Sequence, residues 1–290
     1  MISGIFVGLS TVDVVYGVHQ FPAPDTKITA NTQEIFVGGP ATNAAIAFRH
    51  LGGEAALVTG AGRHPLSALL RQELQHHGIR LCDLSPDFED IPALSSVWVD
   101  AAGQRNVVSA NATRIPISSL AIDEELCRQA SILLVDGHFM PACQRWAAAA
   151  RVSGTPVVLD GGSWKPGTAD LLASVTTAVC SADFFPPGCS THSEVIAYLH
   201  ERGVRQVAIS RGDQPILASS DGRQCAIPVP EVRLVDTSGA GDILHGAFCF
   251  FTATGLPFRE ALERASRIAS ESCRYRGTRE WMQHAAALTN

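Results

Sequence analysis

The stretch VDTSGAGDILHGAF, residues 235–248, places small residues directly before a carboxylate and begins an apolar run directly after it. This pattern predicts a tight turn that leads into a buried helix. The first N–H groups of such a helix have no partner within it and carry partial positive charge. We therefore expect Gly239, Ala240 and Gly241 to form a site for a phosphate or a developing oxyanion. Asp242 lies beside that site, where it fits either an ordinary helix cap or a base that removes a proton from an attacking hydroxyl.

A second glycine motif, GGPATNAAIAF, occupies residues 38–48. Gly38 and Gly39 allow the backbone to approach a ligand closely, and Pro40 fits the first turn of a helix. Asn43 would project an amide with both donor and acceptor capacity from that turn. Taken alone, the motif fits a ligand site and a tight strand-to-helix connection equally well.

Short apolar runs rich in β-branched residues recur along the chain, and segments with helical periodicity separate them. The runs are GIFVGL (4–9), AALVTG (55–60), SILLVDG (131–137), PVVLDG (156–161), TAVCSA (177–182) and QVAISRG (206–212). Between them lie helical segments such as LSALLRQELQHHG and HSEVIAYLHERG. This alternation predicts an α/β fold with three layers, in which helices cover both faces of a mostly parallel sheet.

Two segments interrupt the alternation. Residues 10–38 show little helical pattern, and residues 94–113 alternate apolar and polar side chains around a turn at 100–103, which is typical of a hairpin. We predict that about 14–37 and 94–113 form a small antiparallel β lid on a single domain of residues 1–290. Because exposed strand edges tend to be covered, we expect the lid to close over the substrate and to pair with a second subunit in a homodimer.

The composition indicates a cytoplasmic protein with neither a nucleic-acid nor a membrane partner. The formal net charge is −6, and no basic cluster is larger than local groups such as RYRGTR. The eight cysteines include no C-x-x-C pair, which favours free thiols in a reducing cytosol. No apolar run approaches the ~18 residues of a membrane-spanning helix, and the N-terminus lacks the pattern of a signal peptide.

Further candidates follow the predicted strands, because ligands of open α/β sheets bind beyond the carboxyl ends of the strands. Asp13 follows the first run closely, and Asp136 and Asp160 directly follow the apolar residues of theirs. Each of them also fits a residue that caps a loop or helix. The P-loop and dinucleotide-binding patterns are absent from the sequence, so neither of those phosphate sites is supported.

The predicted lid contains a candidate contact to an anionic substituent of the substrate. Lys27 lies in its first segment, APDTKITAN. Asn111 and His138 are possible companions, because the second lid segment and the end of the SILLVDGH strand should face the same cleft. An exposed lysine in a mobile loop is an equally good interpretation of Lys27.

The two glycine motifs, one near each end of the chain and in this order, resemble the two signatures of the ribokinase (PfkB) carbohydrate kinase family. GGPATNAAIAFRHLGG is similar to the N-terminal signature and DTSGAGDILHGAF to the C-terminal one. The resemblance extends over essentially the whole chain and is greatest toward ketohexokinase and the sugar and sulfosugar kinases near it. It implies a ribokinase-like fold and ATP-dependent transfer of the γ-phosphate to a primary hydroxyl of a small sugar or sugar derivative.

The resemblance also implies roles for individual residues. Asp242 would be the catalytic base, and the turn at 239–241 would be the anion hole over the transferred phosphate. Asp13, Gly39 and Asn43 match residues that hold sugar hydroxyls.

On the nucleotide side, Ser210 and Gly212 match the strand end that lines the ATP phosphates. Asp236, with Ser238 beside it, matches a site for a monovalent cation such as K⁺. The implied cofactors are ATP and Mg²⁺.

The chain departs from the family pattern in three places. SADFFPPGCS, residues 181–190, lacks the N-x-x-E that many members carry before the ATP site, and GAGRHP replaces a more acidic segment. Pro40 stands where ribokinase has lysine, so ribose is not the first substrate we expect. Two alternatives remain open: a nucleoside kinase of the adenosine kinase type, and a catalytically weak sensor that binds sugar and nucleotide.

Overall fold

The computed structural model describes residues 2–284. Its strands are β1 (Ser3–Val7), β2 (Thr11–Gly17), β3 (Thr32–Gly38), β4 (Glu54–Thr59), β5 (Arg80–Asp83), β6 (Leu94–Val99), β7 (Arg105–Ser109), β8 (Ile132–Val135), β9 (Val157–Gly161), β10 (Thr177–Ser181), β11 (Gln206–Arg211), β12 (Gln214–Ser220) and β13 (Arg223–Ile227). Its α-helices are α1 (Pro40–His50), α2 (Ser67–His76), α3 (Glu124–Gln129), α4 (Met140–Val152), α5 (Thr168–Leu171), α6 (His192–Glu201), α7 (Ala240–Ala253) and α8 (Phe258–Ser272).

The central sheet has nine strands in the order β13-β12-β11-β10-β9-β8-β1-β4-β5. All neighbours from β11 to β5 pair in parallel, whereas β12 and β13 are antiparallel additions at one edge. Each apolar run that the sequence predicts as a strand forms one of the parallel strands. Their carboxyl ends therefore meet at one edge of the sheet, which is where ligands of open α/β sheets bind.

Helices cover both faces of this sheet, so the predicted three-layer architecture is confirmed. Side chains alternate along each strand: Phe6 belongs to the core cluster that includes residues of α1, α2, α7 and α8, whereas Ile5 and Val7 belong to the cluster that includes residues of α3, α4, α5 and α6. The strands are buried on both faces, which is why they read as continuous apolar runs. Within residues 2–284, no helix is both long enough and apolar enough to span a bilayer.

The second sheet is small, and its order is β3-β2-β6-β7. The pairs β2–β3 and β6–β7 are antiparallel, as the sequence predicts, and the second pair closes around the turn at 100–103. The two hairpins join through a parallel pairing of β2 with β6, which the sequence does not predict. Local alternation reveals a hairpin, but it carries no information about which distant strand lies beside it.

Close packing of α1 against α7 brings the two glycine motifs together. A side chain at Gly246 would overlap the backbone carbonyl of Ala44, so this contact requires a glycine. Ala41, Ala44 and Ala45 on α1 are fully buried. The small residues of both motifs thus allow the first turns of the two helices to lie side by side.

Candidate active site

The turn before α7 has the geometry of an anion site. Gly239 has φ 66°, a left-handed conformation that most other residues adopt only with strain, and α7 begins at Ala240. The N–H of Ala240 donates a long hydrogen bond of 3.3 Å to the carbonyl of Thr237. Within the described chain, the N–H groups of Gly239, Gly241 and Asp242 have no hydrogen-bond acceptor. These groups are available to bind a negatively charged oxygen.

Asp242 is bonded to Asn43 across the seam between α7 and α1. Nδ2 of Asn43 donates to Oδ2 of Asp242 at 2.7 Å, and Nη1 of Arg279 donates to Oδ1 of Asn43 at 2.9 Å. Because a guanidinium only donates, it fixes the orientation of the amide, with its oxygen toward Arg279 and its NH₂ group toward Asp242. Asn43, a predicted sugar contact, therefore also holds the proposed base.

Arg279 is a site residue that the sequence analysis missed, since it lies in a short basic stretch near the end of the described chain. Its Nε donates to Glu73 at 2.8 Å and its Nη2 to the carbonyl of Val37, the residue before Gly38, at 2.9 Å. Hydrogen bonds from His77 and Arg279 lower the pKa of Glu73 to about 2. This partly buried guanidinium thus ties α2, the end of β3 and α1 together around the site.

The electrostatic environment of Asp242 suits a base at neutral pH. Burial above all, and then the nearby carboxylate of Asp160, raise the pKa of Asp242 to about 7. The hydrogen bond from Asn43 and the charge of His245 act in the opposite direction. A general base is most effective when its pKa lies near the working pH.

Asp136, directly after β8, links the segment that follows β1 to the first turn of α1. Its Oδ2 accepts the backbone N–H of Leu9 at 2.8 Å and that of Ala41 at 3.2 Å. Burial opposes its ionisation, but the charge and hydrogen bonds of His138 and the N–H of Leu9 hold the pKa of Asp136 below its ordinary value. Because Ala41 lies in the first turn of α1, Asp136 helps to position Asn43.

Asp160 and His245 form a second buried pair beneath the anion turn. Oδ2 of Asp160 lies 3.5 Å from Nδ1 of His245 and, among residues 2–284, has no hydrogen-bond partner. The two ring nitrogens of His245 also face the carbonyl oxygens of Gly241, at 2.6 Å, and Val179, at 2.9 Å. Burial raises the pKa of Asp160, against the charge of His245.

The predicted sugar contacts from the small sheet lie at its base, next to α1. Asp13 on β2 pairs with Ser95 of β6, and burial raises its pKa against hydrogen bonds with Thr11 and Ser95. Gly38 ends β3, and Gly39 precedes α1. The positive charge of Arg279 lowers the pKa of Asp13, against the larger effect of burial.

Within residues 2–284, no hydrogen bond or ion pair joins Lys27, Asn111 and His138, the three predicted contacts to an anionic substituent. Lys27 lies exposed in the loop between β2 and β3, and it forms no ion pair or hydrogen bond with any residue of the described range. Asn111, with φ 48°, follows β7 and is exposed. His138 follows β8, and its Nδ1 lies 3.3 Å from Oδ1 of Asp136.

On the predicted nucleotide side, Ser210 and Gly212 lie at the carboxyl end of β11. Ser210 pairs with Ser181 of β10, and its hydroxyl donates to the carbonyl of Cys180 at 3.3 Å. Gly212 lies in the turn between β11 and β12. Within the described part of the chain, no hydrogen bond or ion pair joins Ser210 or Gly212 to the anion turn, so their role stays a prediction.

The loop before the anion turn is held from two sides. Asp236 accepts the N–H of Ser238 at 2.8 Å and that of Gly277 at 2.9 Å, and despite burial these bonds lower its pKa. From the small sheet, Arg105 donates to the hydroxyls of Ser238 at 2.8 Å and Thr237 at 2.9 Å. Arg105 could not be recognised from the sequence, because no local pattern identifies a residue whose partners lie more than a hundred positions away.

Comparisons with known proteins show the family of the chain. A sequence model described as "pfkB family carbohydrate kinase" matches residues 1–285. The chain is 22% identical over 307 residues to ribokinase of Haemophilus influenzae, covering 96% of this chain and 98% of that protein.

Two solved structures share the fold. Ribokinase of Arabidopsis thaliana, in complex with ribose and ATP, superposes with a TM-score of 0.81 at 22% identity, covering 100% of this chain and 98% of that one. A candidate ribokinase II of E. coli, in complex with ATP and Mg²⁺, gives a TM-score of 0.78 at 18% identity, covering 99% of each chain. The chain therefore belongs to the pfkB family of carbohydrate kinases.

Proposed function

We propose that this kinase transfers the γ-phosphate of ATP to a primary hydroxyl of a small sugar or sugar derivative, with Asp242 as the base. One observation carries the assignment: the Asp242 carboxylate, bonded to Asn43, lies in the same helical turn as N–H groups that have no acceptor among residues 2–284. Burial above all raises the pKa of this carboxyl to about 7. In phosphoryl transfer the protein mainly orients the reactants and stabilises charge. The arrangement offers a proton acceptor for the hydroxyl and N–H donors for the phosphoryl oxygens in one place.

The remaining site residues follow from this assignment. Asp13, Gly38, Gly39 and Asn43 would hold sugar hydroxyls on the side of the small sheet. Ser210 and Gly212 would line the ATP phosphates beyond β11. Gly239, Ala240 and Gly241 would bind the transferred phosphoryl group between them.

We propose Mg²⁺ and a monovalent cation as further cofactors. No cluster of His, Cys, Asp or Glu suited to hold a metal occurs in the described part of the chain. Mg²⁺ would accordingly be held mainly by the ATP phosphates, where it neutralises negative charge. Asp236 and Ser238 supply oxygens for a monovalent cation, although both already accept hydrogen bonds within the protein. Equal rates in K⁺ and in a bulky organic cation would rule that site out.

We further propose that the small sheet is a lid, covering about 14–37 and 94–113 of a single domain, which also forms a homodimer. Arg105 supports closure, since it reaches from β7 to the anion turn. Ile35, Val107 and Val108 support pairing, since they are large, apolar and exposed on this sheet. A monomer by light scattering at micromolar concentration would contradict the dimer. The eight free thiols fit a cytoplasmic location.

The substrate is best identified by a direct test. Purified enzyme would be offered ketoses, aldoses, sugar acids, sulfosugars and nucleosides with ATP and Mg²⁺, and ADP release would be measured. We expect a small sugar to give the highest kcat/KM. A nucleoside as the best substrate would instead support the adenosine kinase type, and binding without turnover for every compound would support a sensor.

A further inference from the structure

The hydrogen bonds of His245 define its protonation state. The side chain lies one helical turn beyond Asp242 and is 6% exposed. Its Nδ1 and Nε2 face the backbone carbonyls of Gly241 and Val179, which accept hydrogen bonds but cannot donate them. A neutral imidazole has one N–H and would leave its other nitrogen lone pair against a carbonyl oxygen in a buried site. Only the imidazolium satisfies both contacts.

A facing carboxylate supports the same conclusion. Oδ2 of Asp160 is buried, lies 3.5 Å from Nδ1 of His245 and, within the described residues, accepts no hydrogen bond. Burial opposes a charge on His245, but Asp160 and the two carbonyl oxygens raise its pKa above the ordinary value. A buried carboxylate without a hydrogen bond is costly unless a cation lies beside it.

We propose that His245 is a positioning residue: a protonated imidazolium, fixed by the carbonyls of Gly241 and Val179, that favours the ionised form of the Asp242 carboxyl. The inference rests on the proposed role of Asp242 as the base. It adds a second effect at the anion turn. The peptide between Gly241 and Asp242 accepts from His245 through its carbonyl and offers its unpaired N–H to the phosphate. Hydrogen bonds in such a chain polarise one another and strengthen the donor.

Other charges also act on Asp242, and a test must separate them. The groups that face it are His245 on its own helix, Asp160 in β9, Asp136 after β8 and Arg279 near the C-terminus; Lys165 and His138 act on Asp160 in turn. Removing His245 alone would allow Asp160 to take up a proton, which would hide the lost positive charge. The effect of His245 on Asp242 is therefore measured best in the variant Asp160→Asn, which has no carboxyl group at this position.

The first experiment compares the pH dependence of kcat for Asp160→Asn and for Asp160→Asn/His245→Asn. The proposal expects the acid limb of the double variant to lie about one pH unit higher, because a nearby positive charge lowers the pKa of a carboxyl by that order. The matched control is Asp160→Asn/His200→Asn, whose limb should not move. If nitrogen NMR of Asp160→Asn shows both ring nitrogens of His245 still protonated, coincident limbs for Asp160→Asn and the His245 double variant would overturn the proposal. Loss of either proton in Asp160→Asn would overturn the claim that the two carbonyls fix the imidazolium.

The second experiment needs no variant activity. Nitrogen NMR of histidine-labelled wild-type protein, with His245 assigned from His245→Asn, should show both of its ring nitrogens protonated from roughly pH 6 to 8. His200 is an internal control: its Nδ1 faces the carbonyl of Val204, but its Nε2 faces the hydroxyl of Ser219, which can donate to a neutral ring.

A bare ring nitrogen on His245 at neutral pH would overturn the proposal even if the double variant failed to fold. The role of Asp242 as the base and the protonation of His245 are also tested independently of each other. If Asp242→Asn retained full activity, the base assignment would be wrong, yet the NMR result would still decide the protonation of His245.

Discussion

Nδ2 of Asn43 lies 2.7 Å from Oδ2 of Asp242, although 199 residues separate the two in the chain. Neither residue alone would distinguish a catalytic site from a helix cap or a tight turn. Their contact shows that the two glycine motifs build one site, in which the amide that we assign to sugar binding also orients the base. With the roles proposed above, substrate binding and proton removal would share this pair of side chains.

Asp242→Asn should abolish phosphoryl transfer while sparing ATP binding. The amide keeps the size of the side chain and much of its capping ability, but it cannot accept the proton. Loss of a general base typically costs ~10²–10⁴-fold in rate, or about 3–5 kcal/mol of barrier. ADP release and calorimetric ATP binding would be measured side by side. An Asn variant that keeps more than roughly a tenth of the wild-type kcat would contradict the base assignment.

The same substitution should change the pH dependence of stability. The pKa of Asp242 rises from 3.8 to about 7 on folding, so its contribution to stability is complete below about pH 4 and is lost as the pH rises through about 7. The Tm of Asp242→Asn relative to wild type should therefore be higher at about pH 8 than at about pH 5.

Asp236→Asn is the matched control for that measurement. The pKa of Asp236 is lowered in the fold, so its contribution is present above its ordinary pKa and is lost only at lower pH. The Tm difference of this variant should be the same at both pH values. A constant difference for Asp242→Asn as well would show that its pKa is not raised.

Arg279→Met should lower both stability and kcat. Glu73 and Oδ1 of Asn43 would lose their partner, and the amide of Asn43 could then turn its NH₂ group away from Asp242. We expect a loss below the roughly 3–5 kcal/mol of a fully buried pair, because 27% of the Glu73 side chain is exposed. Urea unfolding and kcat would be measured, with Glu73→Gln as the control that keeps the Arg279–Asn43 bond. Equal kcat values for Arg279→Met and Glu73→Gln would show that Arg279 does not orient Asn43.

Arg105→Gln should weaken the contact between the small sheet and the anion turn. It removes charged donors to the hydroxyls of Thr237 and Ser238, and we expect KM to rise from a few-fold to about tenfold, with little change in Tm. Gln104→Ala, at the exposed neighbouring position, serves as the control. Unchanged KM values for both ATP and sugar in Arg105→Gln would mean that the contact is incidental.

Lys27→Ala should raise KM for an anionic sugar and leave KM for a neutral one unchanged. Lys27 has no partner within residues 2–284, so its ammonium is available to a substrate if the loop between β2 and β3 closes. Lys27→Arg keeps the charge and should retain most of the affinity. If Lys27→Ala binds its best substrate as well as wild type does, Lys27 is simply an exposed lysine.

The sequence was informative where the relevant pattern is local. Continuous apolar runs located the parallel strands, and alternation located the β6–β7 hairpin. The glycine motifs located the start of α7 and pointed to Asp242 and Asn43 as candidate site residues. Arg279, Arg105 and the parallel β2–β6 pair were missed, because each depends on residues far apart in the chain. His245 lies inside the second motif, but its role depends on Val179 and Asp160 from neighbouring strands, which a sequence pattern does not show.

The contact between Gly246 and Ala44 has a consequence for enzyme engineering. With no side chain between the two backbones, the separation of α1 and α7 is set by residue volume at a position that takes no part in the chemistry. Substituting Gly246 by progressively larger residues should push α1 and α7 apart. This would lengthen the distance from Nδ2 of Asn43 to Oδ2 of Asp242 without changing any polar side chain. The absence of a side chain at Gly246 thus determines how closely the two helices that carry the candidate site residues approach each other.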